Sequence, residues 1–378
     1  NDVSISGDVR HTTDKLKKNL IEGLIKTGTN VYDMGTIPTP VNYFSLFDSE
    51  TVCSIQVTGS HNPSEYNGFK LSLNRKPFYG LDIQKLKDII KSENFLISDH
   101  IGEYKSIDVI TKYKDYIIEN VQLNKHLKIA IDCGNAVGGL VAPEIFKKLG
   151  VNLVEIYCDV DPDFPNHHPD PTVDKNLIEL CNIVKNEKCD FGVAYDGDSD
   201  RVVAVDENGS IVRSDILMSI FVNEIISENE SVVYDVKCSK ALRETILKKK
   251  GIPVMCKTGH SHIKNKIIET HSKLGGEMSG HIFFADRYFG FDDGIYVSAR
   301  LAELLSNTNK KLSELVSEIP SYISTPEIRI ECKNDNEKEI ISKKAIEFFK
   351  RNYSCDVTDG VRISFDGGWG LVRSSNTQ

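Results

Sequence analysis

A serine that could accept a phosphoryl or an acyl group lies in residues 58–63, Thr-Gly-Ser-His-Asn-Pro, directly after a strand-like run that ends at Val57. A serine between glycine and histidine at a strand end can lie exposed on a tight turn, where its hydroxyl can react. The Gly-x-Ser-x-Gly spacing of a hydrolase elbow is absent, so acyl transfer is the weaker option. A plain turn is equally compatible with this segment, and both interpretations of Ser60 stay open. Lys70 opens the next strand-like run and is a candidate acid or base.

A second segment, residues 196–201, places aspartates at three alternate positions, Asp196, Asp198 and Asp200. Carboxylates are hard oxygen ligands that suit Mg²⁺ or Ca²⁺, and three clustered carboxylates repel one another unless a cation neutralises them. An EF-hand is excluded because Arg201 stands where that loop requires glycine and a strand-like run follows it. A metal site of three carboxylates keeps an open position for a phosphate oxygen. A solvated acidic turn is the less favoured alternative.

Two further loops carry polar groups that suit a phosphosugar. Residues 275–281 bring Glu277, Ser279 and His281 into a glycine-rich loop, where they could hydrogen-bond sugar hydroxyls, although such a loop alone is more often merely a polar turn. Residues 373–377, Arg-Ser-Ser-Asn-Thr, combine a guanidinium with hydroxyl and amide donors, a set that can grip a phosphate or equally form a surface turn. Cationic donors at other strand ends are Lys237, Lys257 and His260.

The elements that must position these loops follow a regular rhythm. Strand-like runs such as 51–57, 127–131 and 191–195 alternate with amphipathic helical patterns, which is typical of layered α/β domains. The pattern changes near 102–106, 206–214 and 319–326, and the last piece shows the order strand, helix, strand, strand. We therefore expect domains at 1–105, 106–210, 211–320 and 321–378, the last a small α+β domain.

Composition excludes several classes of protein. The 378 residues predict two to three domains at about 150 residues each, and a net charge of −9 argues against a general nucleic-acid binder. No apolar run approaches the ~20 residues of a membrane helix, so no membrane partner is expected. The nine cysteines include no Cys-x-x-Cys pair, which argues against zinc ribbons and thioredoxin-like sites. Scattered cysteines of this kind are typical of reduced thiols in the cytoplasm.

Taken in order, the four loops resemble those of the α-D-phosphohexomutase family, close to its bacterial phosphomannomutase/phosphoglucomutase branch. Residues 166–171, 289–294 and 368–370 resemble that branch as well, so the likeness extends through nearly the whole chain. It implies three similar α/β domains with mixed sheets and a smaller C-terminal α+β domain, arranged as a heart around a central cleft. It also implies a cytoplasmic enzyme, monomeric or weakly homo-oligomeric, that acts on a phosphosugar and binds neither nucleic acid nor membrane.

The resemblance further implies a role for each loop. Ser60 would be a phosphoserine whose phosphate joins Asp196, Asp198 and Asp200 in binding Mg²⁺. His61 and Lys70 would assist proton transfer, and Arg201 would hold phosphate or sugar oxygens. A hexose 1,6-bisphosphate would be the intermediate and activator. Glu277 and Ser279 would bind the 3- and 4-hydroxyls of the sugar. The remaining implied groups hold the non-reacting phosphate or line the cleft, and they are Arg373, Ser375, Asn376, Thr377, Lys237, His260 and His281.

The resemblance is incomplete at both ends, and the sequence is compatible with three alternative functions. The family's N-terminal Gly-Thr-Ser-Gly segment and the end of its fourth domain are missing, which predicts a chain truncated at both termini. Phosphoglucosamine mutase is an alternative, disfavoured by Met278 where that branch usually has glutamine. A catalytically silent sugar-phosphate binder is another, disfavoured because Ser60 and the three aspartates are intact. A Ca²⁺-binding interaction module is a third, which the strand-flanked aspartate loop does not support.

Overall fold

The chain forms three α/β units followed by a smaller C-terminal unit, and the computed structural model describes residues 2–375. Within these residues the four sheets have six, five, four and three strands in chain order. The first three sheets mix parallel and antiparallel pairs, whereas the last is antiparallel. The predicted fold class is confirmed by this architecture.

The first unit is built around β1, whose residues 3–7 are all buried. Helix α1 packs Leu20, Ile21 and Leu24 against apolar residues of the sheet, and α2 is buried over eight consecutive residues. The elements are β1 (Asp2–Gly7), α1 (Thr13–Lys26), β2 (Asn30–Thr36), α2 (Thr39–Asp48), β3 (Cys53–Val57), β4 (Phe69–Leu73), β5 (Lys76–Pro77), α3 (Leu81–Ser92) and β6 (Tyr104–Ser106).

The second unit is built around two fully buried strands that form a hairpin, β9 and β10, which enclose residues 196–201. Its elements are α4 (Ile110–Asn120), β7 (Lys128–Asp132), a 3₁₀ turn (Val137–Leu140), α5 (Ala142–Lys148), β8 (Asn152–Ile156), a second 3₁₀ turn (Asp174–Leu177), α6 (Ile178–Asn186), β9 (Phe191–Tyr195), β10 (Val202–Asp206) and β11 (Ile211–Val212).

The third unit contains the most buried helix, α10, whose N-terminus is capped by the side chain of Asp293. Its elements are α7 (Ser214–Ile225), β12 (Ser231–Asp235), α8 (Lys240–Lys248), β13 (Ile252–Cys256), α9 (His260–Thr270), β14 (Leu274–Gly276), β15 (Ile282–Phe284), α10 (Gly294–Ser306) and α11 (Leu312–Ser317).

The three sheets share one strand order. A central strand (β1, β7 or β12) pairs in parallel with two neighbours, and the second neighbour turns back into an antiparallel strand. The turn between those last two strands is residues 58–68 in the first unit, 196–201 in the second and 277–281 in the third. The same topological position therefore carries the serine loop, the aspartate loop and the sugar loop.

A single apolar core runs through the first three units. It joins Val41 and Phe44 of α2 to Tyr113 of α4 and Tyr296 of α10, among many other buried residues. Aromatic rings meet at the junction of the units, where Phe44 lies 5.7 Å from Tyr113 and 5.9 Å from Phe289 between ring centroids. Because this core is shared, the three loops are held by one packed body.

The fourth unit is the predicted small α+β unit, but it lacks one strand that the sequence predicted. It consists of α12 (Asp335–Asn352), β16 (Cys355–Asp356), β17 (Val361–Phe365) and β18 (Gly368–Val372). The expected strand before the helix is wrong, since residues 321–332 form no ladder with any part of the chain between 2 and 375. Its alternating Ile328 and Ile330 are 83% and 82% exposed, so the strand-like pattern has no sheet to pack on.

No helix within residues 2–375 has both the length and the apolar character needed to span a bilayer.

Candidate active site

Ser60 lies on a turn directly after β3 and faces the aspartate loop of the second unit. Its φ of 49° is left-handed, which turns the side chain away from the strand direction. The hydroxyl Oγ donates to Oδ2 of Asp196 at 2.9 Å and lies 3.3 Å from Nδ1 of His61. Position 197 in the aspartate loop requires glycine, because a Cβ there would lie 2.3 Å from the carbonyl oxygen of Ser60. The serine and aspartate loops are thus in direct contact.

Arg10 holds the serine loop by its carbonyl groups. Nη2 donates to the carbonyl oxygens of Ser60 at 2.7 Å and Asn62 at 2.6 Å, and Nη1 donates to those of Tyr66 at 3.1 Å and Pro63. One buried guanidinium therefore satisfies four carbonyls of the loop.

Asp8 completes this arrangement from the end of β1. Its Oδ2 accepts hydrogen bonds from Thr58 Oγ1 at 2.7 Å, from the backbone of Gly59 at 3.1 Å and from Arg10 Nε at 3.0 Å. We call Asp8 and Arg10 the loop clamp. Sequence reasoning missed both residues, because the loop they hold lies about 50 positions further along the chain.

The three aspartates form a buried cluster. Asp196, Asp198 and Asp200 are 0% exposed, and one oxygen of each lies within 4.8 Å of the others. Oδ1 of Asp198 and Oδ1 of Asp200 have no hydrogen-bond partner in residues 2–375. Buried carboxylate oxygens without partners are costly unless a cation binds them, so the donor set fits a hard divalent ion such as Mg²⁺.

Lys70 supplies positive charge to this cluster. Its Nζ lies 2.6 Å from Oδ2 of Asp198 and 2.5 Å from Oδ2 of Asp200, and Thr39 donates to the same oxygen of Asp198. Burial alone would lower the pKa of Lys70, but Asp198 and Asp200 outweigh it and raise that pKa. Burial would raise the pKa of Asp198, yet Lys70 holds it below its usual value. Burial and the charge of Asp198 raise the pKa of Asp196.

His61 and Arg201 flank the serine. Burial, and then the charge of Arg201, lower the pKa of His61 to about 3, so its ring is neutral beside the Ser60 hydroxyl. The backbone nitrogen of Arg201 donates to Oδ1 of Asp196 at 3.2 Å, and its Nε donates to Nε2 of His281 at 2.9 Å. The two Nη groups of Arg201 make no hydrogen bond to residues 2–375, which leaves them for oxygens of a bound phosphate.

The sugar loop places a buried carboxylate at the edge of the same site. Glu277 accepts from Ser279 Oγ at 3.0 Å and from the backbone of Gly259. Burial raises the pKa of Glu277, although His281 opposes the shift. His260 follows Gly259 on α9, and burial together with Lys264 lowers the pKa of His260 to about 3. Glu277, Ser279, His260 and His281 therefore belong to one polar wall.

Within residues 2–375, the predicted phosphate loop makes no direct hydrogen bond to these groups. Nε of Arg373 donates to Oδ2 of Asp359 at 3.1 Å, and that oxygen also accepts from the backbone of Thr258 at 3.2 Å. The carbonyl oxygen of Ser375 accepts from Lys338 Nζ at 3.0 Å. Lys237 pairs with Glu327 at 2.8 Å and not with the aspartate cluster. Two predicted members of this loop, Asn376 and Thr377, lie outside the described residues.

The chain matches known proteins of one family over most of its length. Models of the phosphoglucomutase/phosphomannomutase α/β/α domains I, II and III match residues 1–96, 111–209 and 213–322. The chain is 41% identical to phosphomannomutase/phosphoglucomutase of Pseudomonas aeruginosa over 99% of its own length and 81% of that protein. It is 38% identical to phosphoglucomutase of Neisseria meningitidis over 99% of itself and 82% of that protein.

A solved structure agrees over the whole chain. The phosphoglucomutase/phosphomannomutase family protein of Burkholderia thailandensis superposes with a TM-score of 0.93 at 38% identity, covering 100% of this chain and 83% of the other. The likeness therefore includes the fourth unit, which the three domain models do not match.

Proposed function

This chain belongs to the phosphoglucomutase/phosphomannomutase family, and from that premise we propose that it interconverts hexose 1-phosphates and hexose 6-phosphates. Glucose and mannose phosphates are the proposed substrates. The observation that carries the proposal is the hydroxyl of Ser60, which lies 2.9 Å from Asp196 within a cluster of three buried carboxylates. A nucleophile beside a cation-binding set suits phosphoryl transfer to and from an enzyme serine.

The reaction we propose has two transfers. Phosphorylated Ser60 gives its phosphoryl group to a free hydroxyl of the sugar phosphate: the bond from Oγ to phosphorus breaks, a bond from phosphorus to the sugar oxygen forms, and the proton of that hydroxyl passes to Oγ. The resulting hexose 1,6-bisphosphate rotates by about half a turn in the active site, so that its two phosphates exchange places. Its other phosphoryl group then returns to Oγ of Ser60, and the sugar leaves with its phosphate moved between positions 1 and 6.

The residues around Ser60 supply the acid, base and electrostatic functions. Oγ must lose a proton when it accepts the phosphoryl group, and Nδ1 of His61, 3.3 Å away, is placed to take it. Lys70 and Arg201 hold positive charge at the cluster and would bind oxygens of the transferring group. Asp196, Asp198 and Asp200, with the phosphate of Ser60, would hold Mg²⁺. That ion, when bound, neutralises negative charge on the phosphoryl group.

The proposed substrate contacts divide between two loops. Glu277 and Ser279 would bind the 3- and 4-hydroxyls of the sugar, which glucose and mannose share. Arg373 and Ser375 would hold the phosphate that is not reacting. Other groups proposed to contact substrate are Asn376, Thr377, Lys237, His260 and His281.

The experiment that tests the proposal is a coupled mutase assay on glucose, mannose and glucosamine 1-phosphates, combined with intact-mass measurement of the purified protein. We expect glucose and mannose 1-phosphates to be used within about 10–100-fold of each other in kcat/KM, because the sugar loop would bind the 3- and 4-hydroxyls and would not contact C2. We also expect one added phosphate, lost in Ser60→Ala. A strong preference for glucosamine 1-phosphate would instead identify a phosphoglucosamine mutase, and binding without turnover would identify a silent sugar-phosphate binder.

We further propose that the enzyme works in the cytoplasm as a monomer or weak homo-oligomer, without nucleic-acid partners. All nine cysteines are free thiols, which supports a reducing compartment. Light scattering of the purified protein, with and without added nucleic acid, tests the oligomeric state and the expected lack of binding.

A further inference from the structure

Both peptide groups that flank Ser60 are held by buried side chains of the first unit. The backbone nitrogen of Ser60 donates to Oγ1 of Thr58 at 2.9 Å, and that hydroxyl donates to Oδ2 of Asp8 at 2.7 Å. The carbonyl oxygen of Ser60 accepts from Nη2 of Arg10 at 2.7 Å. Asp8, Arg10 and Thr58 are all buried. The loop clamp therefore reaches the N–H of Ser60 through Thr58 and its C=O directly.

The conformation that these contacts hold is uncommon for a residue with a side chain. The φ of Ser60 is 49°, in the left-handed region where Cβ is crowded by the backbone. Such a conformation persists where the surrounding structure determines it. With the backbone held in this way, Oγ of Ser60 donates to Oδ2 of Asp196 at 2.9 Å. The direction of the reacting hydroxyl therefore depends on the two peptide groups that the clamp holds.

The guanidinium of Arg10 has no donor left for a phosphate, because a guanidinium carries five N–H groups and Arg10 has five acceptors. These acceptors all lie in the first unit, and they are Oδ2 of Asp8 and the carbonyl oxygens of Ser60, Asn62, Pro63 and Tyr66. The contacts of Arg10 therefore favour a role in holding the loop over a role in binding substrate.

Gly59 allows the loop to pack directly on this guanidinium. A Cβ at position 59 would lie 2.6 Å from Cζ and from Nε of Arg10, and 2.6 Å from the carbonyl oxygen of Tyr66. No side chain fits in that space, so the residue before Ser60 must be glycine for the guanidinium to approach. A displacement of the guanidinium would therefore displace the backbone next to the serine.

We propose that Asp8, Arg10 and Thr58 are positioning residues for phosphoryl transfer, which fix the two peptide groups around Ser60 and thereby direct its Oγ toward the reacting phosphoryl group. This inference rests on the proposed function. Within residues 2–375, none of the three side chains hydrogen-bonds to the aspartate cluster. Their effect would pass through the backbone of Ser60, so their loss should lower kcat more than it changes KM.

Thr58→Val tests the contact to the N–H of Ser60, because it replaces the hydroxyl by a methyl group of similar size. The N–H of Ser60 then loses its acceptor, and the peptide group before the serine is free to turn. A small misplacement of a reacting group costs a large factor in rate. We expect kcat to fall about tenfold or more while KM changes by less than about threefold.

The matched control is Thr13→Val. Oγ1 of Thr13 also donates to Asp8 at 2.7 Å, but to Oδ1, and its other contact is Nδ2 of Asn67 at 2.8 Å. This substitution removes an equivalent hydrogen bond from the same carboxylate without removing a contact of Ser60. We expect a lower Tm with kcat within about threefold of the wild type. Equal falls of kcat in the two variants would overturn the proposal.

Arg10→Lys tests the contact to the C=O of Ser60. An ammonium keeps positive charge beside Asp8 but has three N–H groups, which is too few for the five acceptors. We expect kcat to fall about 10–100-fold with little change in KM. The control is Arg300→Lys, a buried arginine on α10 that pairs with Asp286 at 3.0 and 2.7 Å, which should lower Tm and keep kcat. A rise in KM with unchanged kcat in Arg10→Lys would overturn the proposal.

Hydrogen exchange separates positioning from general damage. The backbone nitrogens of Gly59 and Ser60 donate to Asp8 and Thr58, so their exchange reports on the clamp whether or not substrate is present. Mass spectrometry of the peptide that covers residues 58–66 should show faster exchange in Thr58→Val and Arg10→Lys than in the wild type and the two controls. The proposal is overturned if kcat falls while this exchange is unchanged, or if both clamp variants keep kcat within about threefold of the wild type.

Two further arrangements keep the test decisive. Should Arg10→Lys fail to fold, Thr58→Val decides the outcome alone, because it leaves the pair of Asp8 and Arg10 in place. If the wild type has no mutase activity, the proposed function fails, whereas the exchange measurement still shows whether the clamp holds the backbone of Ser60.

Discussion

The serine–aspartate centre and the phosphate loop are built in opposite ways. The centre lies between units that share one apolar core, and its groups meet at hydrogen-bond distance across the unit boundaries, as Ser60 does with Asp196 and Lys70 with Asp198. The phosphate loop belongs to the fourth unit, which makes polar contacts with the third, such as Thr258 to Asp359 and Arg362 to the carbonyl of Cys238.

The difference matches what each region is proposed to do. Bond making at Ser60 requires fixed positions, because a small misplacement of reacting groups costs a large factor in rate. A loop that grips the passive phosphate must accept two orientations of the intermediate, so attachment by a few polar contacts suits it better than a packed core. We therefore expect substitutions in the serine–aspartate centre to lower kcat and substitutions in the phosphate loop to raise KM.

The largest effect is expected from Ser60→Ala. Removing the phosphoryl acceptor should lower kcat by several orders of magnitude and abolish the added phosphate mass, because no other hydroxyl within residues 2–375 hydrogen-bonds to Asp196. Ser64→Ala, in the same loop, is the control and should keep both. Mutase activity near the wild-type level in Ser60→Ala would show that the serine–aspartate centre does not carry out phosphoryl transfer.

Asp198→Asn should have the next largest effect. It removes one negative charge from the proposed Mg²⁺ site, so activity should fall sharply and the Mg²⁺ concentration for half-maximal rate should rise. Asp206→Asn is the control, because Asp206 only caps the β10–β11 turn through the backbones of Asn208 and Ser210. It should lower Tm and leave the Mg²⁺ requirement unchanged. Full activity in EDTA would contradict the metal role.

Glu277→Ala should damage both sugar reactions together. A hydrogen bond to an ionised acceptor is worth about 1.5–3 kcal/mol, which corresponds to roughly 10–100-fold in kcat/KM. Glucose and mannose 1-phosphates should be affected alike, since both have the 3- and 4-hydroxyls. If the carboxylate merely stabilises its glycine-rich turn, Tm will fall with little change in KM. Kinetics on both sugars and a melting curve of the same variant distinguish these outcomes.

Arg373→Ala tests the proposed role of the phosphate loop. Loss of one charge-assisted contact to the passive phosphate should raise KM by about tenfold, with a smaller change in kcat. Arg351→Ala on exposed α12 provides the control for loss of positive charge. A fall in kcat without a change in KM would show that the fourth unit takes part in the transfer itself.

The smallest effect is expected from Glu327→Gln. This substitution breaks the half-exposed pair with Lys237, and exposed ion pairs contribute about 0–1 kcal/mol. Stability should therefore change little, and KM should fall slightly if Lys237 is released toward a substrate phosphate. Denaturant unfolding and substrate titration of the variant measure both quantities, and a large loss of stability would mean that this pair is a principal attachment of the fourth unit.

Much of the fold and the reacting groups could be predicted because their signals are local. Alternating apolar runs predicted the α/β units, and the aspartates at alternate positions predicted their own cluster. Asp8 and Arg10 could not be predicted in the same way, because the loop that they hold lies about 50 positions further along the chain. The strand predicted before α12 is wrong for a related reason. The alternation of Ile328 and Ile330 predicts which side of a strand would be apolar, but it does not show whether a neighbouring strand is available to pair with it.

The loop clamp also determines how the reactive loop can open. Asp8 directly follows β1, the strand between β3 and β2, and its side chain accepts a hydrogen bond from the backbone of Gly59. Detachment of the serine loop therefore requires the buried hydrogen bond from the backbone of Gly59 to Asp8 to break. We expect the amide hydrogen of Gly59 to exchange slowly although substrate must reach Ser60, so that access to the serine would not require unfolding of the loop.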